Sequence, residues 1–380
     1  MLRSLMLVNL VLLFNVFFGI EAKAQEFDEI NIIGHKFLTF SRKLPSDFLS
    51  TKVAVILSVP PDPKQPSERG DWRKLAKTVH PHFRKMGIDA VAYYYSDDLN
   101  SGKDPRKYFL AEMDKRKVKN LILLSETNRV INGKTINQYV LVITTHAGKS
   151  ELYRDGQNAW KMQASDLKSI LVELGKDVYR DKQPKTNFMI TDVPEFFTTT
   201  DIIRGKRIPT YSKDLKVDKL AVSLFQKLPI PENIPEGSLN EKIKQEIEAY
   251  NAQVDRDNER LKGIMATYPL KYEISDKYTD EDLYNAGFDY VLLRLHTTGA
   301  TIKELLGFKI DKSETDYITV KSNGIKRLSV NTPVHKYYVK HLYTKDIYVG
   351  GKWDADDSWE GALESFIENH LDALKVKKKK

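Results

Sequence analysis

Gly148-Lys149-Ser150 and Gly133-Lys134-Thr135 are the two places where the chain approaches a phosphate-binding loop. Such a loop needs an earlier glycine, so that backbone amides can wrap the anion, and a helix directly after the hydroxyl residue. Ile143 and Asn128 stand where those glycines belong, and Glu151–Arg154 reads as a strand. Both segments are therefore expected to be hairpin turns. His80 and His82 flank Pro81 within a helical pattern, where residues two apart point in different directions. No HExxH spacing supplies further ligands, and His335 and His341 lack a nearby carboxylate in sequence. With Cys 0, thiol catalysis, cysteine zinc sites and iron–sulfur clusters are excluded. No cofactor and no metal is expected.

The most acidic cluster is Asp354, Asp356, Asp357, Ser358 and Glu360. Its alternating oxygens resemble part of a calcium loop, but the glycine at the sixth position and the glutamate at the twelfth are missing. Asp357 followed by Glu360 fits a capping box at a helix start. No Gly-x-Ser-x-Gly elbow is present, so serine hydrolysis of that kind has no support. Tyr93, Tyr94 and Tyr95 offer an aromatic platform for sugars, although side chains on a strand alternate faces and one face is core. A glycan-binding or glycan-processing role stays open on that basis.

Residues 1–24 have the form of a secretory signal. Arg3 is the positive head, Leu5–Ile20 is an apolar run shorter than the roughly 20 residues a spanning helix needs, and Ala22-Lys23-Ala24 is a cleavage pattern. The expected product begins at Gln25, has no transmembrane segment and resides in the periplasm. An exported chain without cysteine must hold together by burial alone. The formal charge of +8 comes from 60 basic and 52 acidic residues. That mixture favours solubility, and without long interior basic stripes nucleic acid is not an expected partner.

The elements that must position any site form a repeat of roughly 165 to 190 residues. Lys52–Leu57 matches Lys219–Leu224, and each run enters a proline-rich loop. The first loop carries Pro60, Pro61, Pro63 and Pro66; the second carries Pro229, Pro231 and Pro235. A helix follows each, over 71–86 with a kink expected at Pro81, and over 239–265. Asn120–Leu124 and Tyr290–Leu293 read as central strands buried on both faces. Tyr139-Val140 is set against Tyr338-Val339, Leu152-Tyr153 against Ile347-Tyr348, and Trp160 against Trp359, with a helix closing each copy. Leading strands are expected at 36–40 and 188–191. The second copy adds a segment near 299–331, read as a hairpin turning at Asn323-Gly324.

The expected architecture is thus α/β (α+β): two tandem repeats of a mixed-sheet domain, each strand-helix-strand-helix-strand-strand-strand-helix. The boundaries are 1–24 for the signal, 25–183 for repeat one, 184–374 for repeat two and 375–380 for a basic tail. This element order resembles the small α/β domain at the front of TolB-type periplasmic proteins. The Lys-, Asn- and Tyr-rich composition and the Ala-Lys-Ala-Gln cleavage region resemble exported proteins of the Bacteroidota. In that group, outer-membrane translocons carry soluble periplasmic accessory or plug subunits. The resemblance implies a non-enzymatic protein that binds, scaffolds or plugs an envelope or outer-membrane protein complex. The expected contact residues are Pro60, Pro61, Pro63, Pro66, Pro229, Pro231 and Pro235 in the two loops, because prolines reduce the entropy lost on docking. The tail residues Lys377, Lys378, Lys379 and Lys380 complete the set, as cations suited to an anionic surface.

Overall fold

The computed structural model describes residues 38–61, 64, 68–131, 134–148, 151–154, 156–187, 189, 193–196, 202–203, 205–228, 230, 238–277, 279–321 and 324–377. The signal segment and residues 36 and 37 of the leading strand expected at 36–40 lie outside them. The fold is mixed α/β, with two six-stranded mixed sheets. Contacts divide the chain into two compact units. The first takes the described residues up to Pro60, with Asp71–Ser96 and Met113–Phe196. The second takes Pro61–Gly70, Asp97–Glu112 and Phe197 onward. Among the described residues no helix is long and apolar enough to cross a membrane.

In chain order the elements up to the end of the first sheet are β1 (Thr39–Ser41), β2 (Lys52–Ser58), α1 (Trp72–Met86), β3 (Asp89–Tyr95), α2 (Ser96–Leu99), α3 (Lys103–Lys115), β4 (Val118–Ile131), β5 (Lys134–Thr145), β6 (Asn158–Ala164) and α4 (Leu167–Asp181), with most of α2 and α3 belonging to the second unit. Strands lie in the order β1-β6-β5-β4-β2-β3. Val53 to Leu57 are all fully buried, as expected of a strand with a parallel neighbour on each side and cover on both faces. One face packs Val55, Leu57, Tyr93 and Trp160 against Leu75, Val79 and Phe83 of α1 and Ile170 and Leu174 of α4. Asp71 caps α1 by accepting the Lys74 N–H at 3.0 Å, and Gly87, in the left-handed region, ends it.

The second sheet follows with β7 (Arg207–Ile208), β8 (Leu220–Ser223), α5 (Ser238–Met265), β9 (Tyr272–Ser275), α6 (Asp280–Asn285), β10 (Tyr290–Thr298), α7 (Gly299–Leu306), β11 (Asp316–Lys321), β12 (Gly324–Ser329), β13 (Pro333–His341), β14 (Ile347–Tyr348) and α8 (Trp359–Leu374). Its order is β7-β14-β13-β10-β8-β9, while β11 and β12 form a separate two-stranded sheet. Taken in chain order with the hairpin set aside, this is the same strand order as the first sheet. The neighbour senses agree too: parallel at each outer and inner parallel pair, antiparallel through the two central connections. The second core gathers Leu220, Val222, Leu292 and Val339 under Leu261 and Met265 of α5 and Leu363, Phe366 and Ile367 of α8.

Several expectations need correction. The leading strand of the second sheet is Arg207–Ile208; residues 188, 190 and 191 of the strand expected at 188–191 lie outside the described residues. Trp160 lies in β6 but Trp359 opens α8, so the two are not equivalent; the strand that answers β6 is β14. Leu152-Tyr153 precedes β6 and belongs to no strand, nor does the rest of 151–154. The ladders pair Ile122 with Ile143, and Leu292 with Val339, so Val339 answers Ile143 rather than Val140. Matching aromatic to aromatic fails because loops of unequal length slide residue types past the ladder. Helix α1 is one continuous helix with Pro81 inside it and a buried apolar stripe along one face.

Candidate functional site

The residues singled out for partner contact are only partly within the described structure. Pro60 and Pro61 are half-buried just after β2, and Lys377 is exposed beyond α8. Pro63, Pro66, Pro229, Pro231, Pro235, Lys378, Lys379 and Lys380 lie outside the described residues. What flanks the loops is firmly held. At the end of the first, Arg69 pairs with Asp98 at 2.6 Å and Glu304 at 2.9 Å. Into the second, Asn258 and Asn251 of α5 each bond both backbone groups of one residue, Phe225 and Leu228 respectively.

The β11–β12 hairpin is the more distinctive surface. Its residues alternate, as a strand requires. Tyr317 and Thr319 face inward and are buried, while Ile318, Val320 and Ile325 face outward at 48%, 67% and 74% exposure. Val320 pairs directly with Ile325, and Ile318 with Arg327, which makes no ion pair among the described residues. A lone hairpin is marginal in water, so the inner face must be anchored. Lys303 does part of this, its ammonium 3.9 Å from the Tyr317 ring and 2.7 Å from Glu314. Thr319 donates to the Ala355 carbonyl at 2.6 Å.

Asp356 is the centre of the anchor. Fully buried, it takes ammonium groups from both strands of the hairpin, Lys321 and Lys326, the latter at 2.9 Å. Lys326 also bonds Asp357. Asp356 further accepts the Ser358 N–H and hydroxyl, each at 2.9 Å, and its backbone pairs with His335 at the start of β13. Burial pushes its carboxyl up, but the bonds from Lys321, Lys326 and Ser358 outweigh that and leave it well below the usual carboxylate range. Gly361, in the first turn of α8, makes room: a Cβ there would meet the Asp356 carboxylate at 2.7 Å and the Lys321 ammonium at 2.8 Å.

This arrangement settles the acidic cluster. Asp354 pairs with the fully buried Lys336 at 2.7 Å and accepts from Asn369 at 3.1 Å. The aspartates of that cluster are thus paired with lysines and Glu360 with Arg260, and among the described residues no group of three or more candidate ligands converges on a metal. The helix cap is Ser358, which accepts the Gly361 N–H at 3.1 Å, rather than Asp357. The capping reading fails by one residue because Asp357 is drawn to Lys326.

The remaining candidates resolve as structure. Tyr93, Tyr94 and Tyr95 are all buried, so they make no sugar platform. His80 is buried against the Tyr93 hydroxyl at 2.9 Å. His335 stacks on His296 across the β10–β13 ladder at 3.9 Å, and burial first, then Arg294, holds the His296 imidazole down to about 4. Ile131 pairs with Lys134 at the end of the β4–β5 ladder, and Gly133 lies outside the described residues. Sequence reasoning found the hairpin but missed its exposed residues; outward positions filled by Ile, Val and Ile were the available signal. Comparison with known families, with curated proteins and with solved structures finds no match to this chain.

Proposed function

We propose that this chain is a non-enzymatic, exported protein of the cell envelope that binds or scaffolds an outer-membrane protein complex through the β11–β12 hairpin. The observation that carries this reading is the outward triad Ile318, Val320 and Ile325 on a hairpin whose inner face is fixed by Asp356. Exposed β-branched residues on a strand with open edges are a hazard that proteins ordinarily suppress with charge, bulges or cover. Retaining them on a braced platform favours an extended segment of another protein as occupant. Such a segment adds a strand to an open edge, sets apolar side chains on the triad and places a carboxylate near Arg327.

Export and periplasmic residence rest on the form of residues 1–24. Fractionation followed by mass spectrometry tests that part: the chain should begin at Gln25 and be freed by osmotic shock unless a partner retains it. Recovery with residues 1–24 attached would contradict it. Purification from membranes in mild detergent tests the binding part. A stoichiometric outer-membrane protein should accompany the chain and be lost on Ile325→Lys; a chain that elutes alone in both forms would refute the reading.

A further inference from the structure

The wet face of α1 is charged with one sign only. Its exposed positions include Arg73, Lys74, Lys77 and Lys85, and the helix contains no carboxylate. The exposed side of α4, by contrast, mixes Lys168, Glu173, Lys176, Arg180 and Asp181. Arg73, Lys74 and Lys77 surround a concavity of about 490 Å³ together with Asp71 and Thr78. None of the three cations forms an ion pair among the described residues. The Asp71 carboxylate is turned to the helix end, where it accepts the Lys74 N–H.

Two of the exposed cations also lie near aromatic rings. The Arg73 guanidinium lies 4.9 Å from the Trp72 ring and the Lys77 ammonium 5.9 Å from Phe196. Trp72 and Phe196 are themselves packed edge-to-face at 5.5 Å, so the floor is fixed. Cation–π contact holds the charge in place without using the hydrogen-bond donors at the ring edge of the guanidinium. The cations also stand in the first two turns of α1, where the helix dipole is already positive and repels them. A cluster that the fold disfavours, set on a rigid floor with free donors, is suited to an external anion.

We propose that this concavity binds a phosphate group, with Arg73 giving a two-pronged contact and Lys74 and Lys77 acting as point charges. The proposal concerns the first unit and stands apart from the hairpin reading. The group can come from a phospholipid headgroup or from free phosphate, and the test separates them. The purified chain is titrated with inorganic phosphate by calorimetry and, in parallel, sedimented with vesicles of phosphatidylglycerol or of phosphatidylcholine alone. The triple variant Arg73→Ser, Lys74→Ser, Lys77→Ser is compared with the charge-preserving Lys74→Arg, Lys77→Arg.

Each cation contributes about fivefold to association with an anionic phosphate surface, so the triple variant should lose roughly a hundredfold. The charge-preserving variant should keep its affinity, and added salt should weaken binding in both. All three side chains are exposed, so the thermal midpoint of the triple variant should not fall. Binding to phosphatidylglycerol vesicles but not to inorganic phosphate assigns a lipid headgroup; binding to both assigns a general phosphate site. No binding to either probe, or equal binding by the wild-type chain and the triple variant, would overturn the proposal.

Discussion

Gly361 illustrates how one residue can oppose its own helical propensity. Within an exposed helix, glycine to alanine is ordinarily stabilising by about 1 kcal/mol. Here a Cβ would sit 2.7 Å from the Asp356 carboxylate, so Gly361→Ala should destabilise the protein in chemical denaturation. A stabilised variant would show that the brace is looser than described. Asp356→Ala leaves Lys321 and Lys326 facing each other over a buried gap and should cost about 3–5 kcal/mol. Because the folded carboxyl lies below its ordinary value of 3.8, this stabilisation is complete above that pH and disappears only as pH falls through the depressed folded value. His370 behaves with the same sign for a different reason. It is fully buried, and burial lowers its imidazole from 6.5 to about 4. The neutral form is the folded form, so stability is complete above pH 6.5 and declines between 6.5 and about 4. The loss across that window should approach roughly 3 kcal/mol. Stability measured against pH for His370→Gln should show that slope reduced; an unchanged slope would assign it to other groups.

At the scale of elements, the hairpin separates what folds the chain from what it presents. Replacing Val320 and Ile325 by threonine removes outward apolar surface while keeping β propensity, and should change stability by no more than about 0.5 kcal/mol. The same double variant should lose the envelope partner. A large loss of stability would instead assign the triad to the fold. Much of the element order was legible in sequence, because buried parallel strands such as β2 and β4 leave continuous apolar runs and long helices such as α5 leave a periodic stripe. The hairpin was legible from its turn signal. The short strand β7 was not, because a segment of two residues has no period to detect, whereas the equally short β14 falls on Ile347-Tyr348, the pair set against Leu152-Tyr153. Nor was the brace. Lys321, Lys326 and Asp356 are brought together by a fold in which 353–357 returns beneath the hairpin, and no local spacing encodes that return. The two sheets share one strand order, although the aromatic matches first set between the two halves do not survive the ladder register.

For the whole molecule, the proposed role joins three properties that the chain shows separately. It lacks cysteine, begins with an apolar run at Leu5–Ile20, and offers an apolar surface held rigid by buried ion pairs. Asp354 and Asp356 are paired with lysines, and His296 stacks on His335. The central claim is that the outward face of β11–β12 meets an outer-membrane protein. Photo-crosslinking in intact cells tests it directly, with a photoreactive residue placed at position 325 and, as control, at position 179, where Tyr179 is 84% exposed on the first unit. The expected result is one adduct from position 325 containing an outer-membrane protein and none from position 179. The absence of any adduct from position 325, or the same adducts from both positions, would contradict it.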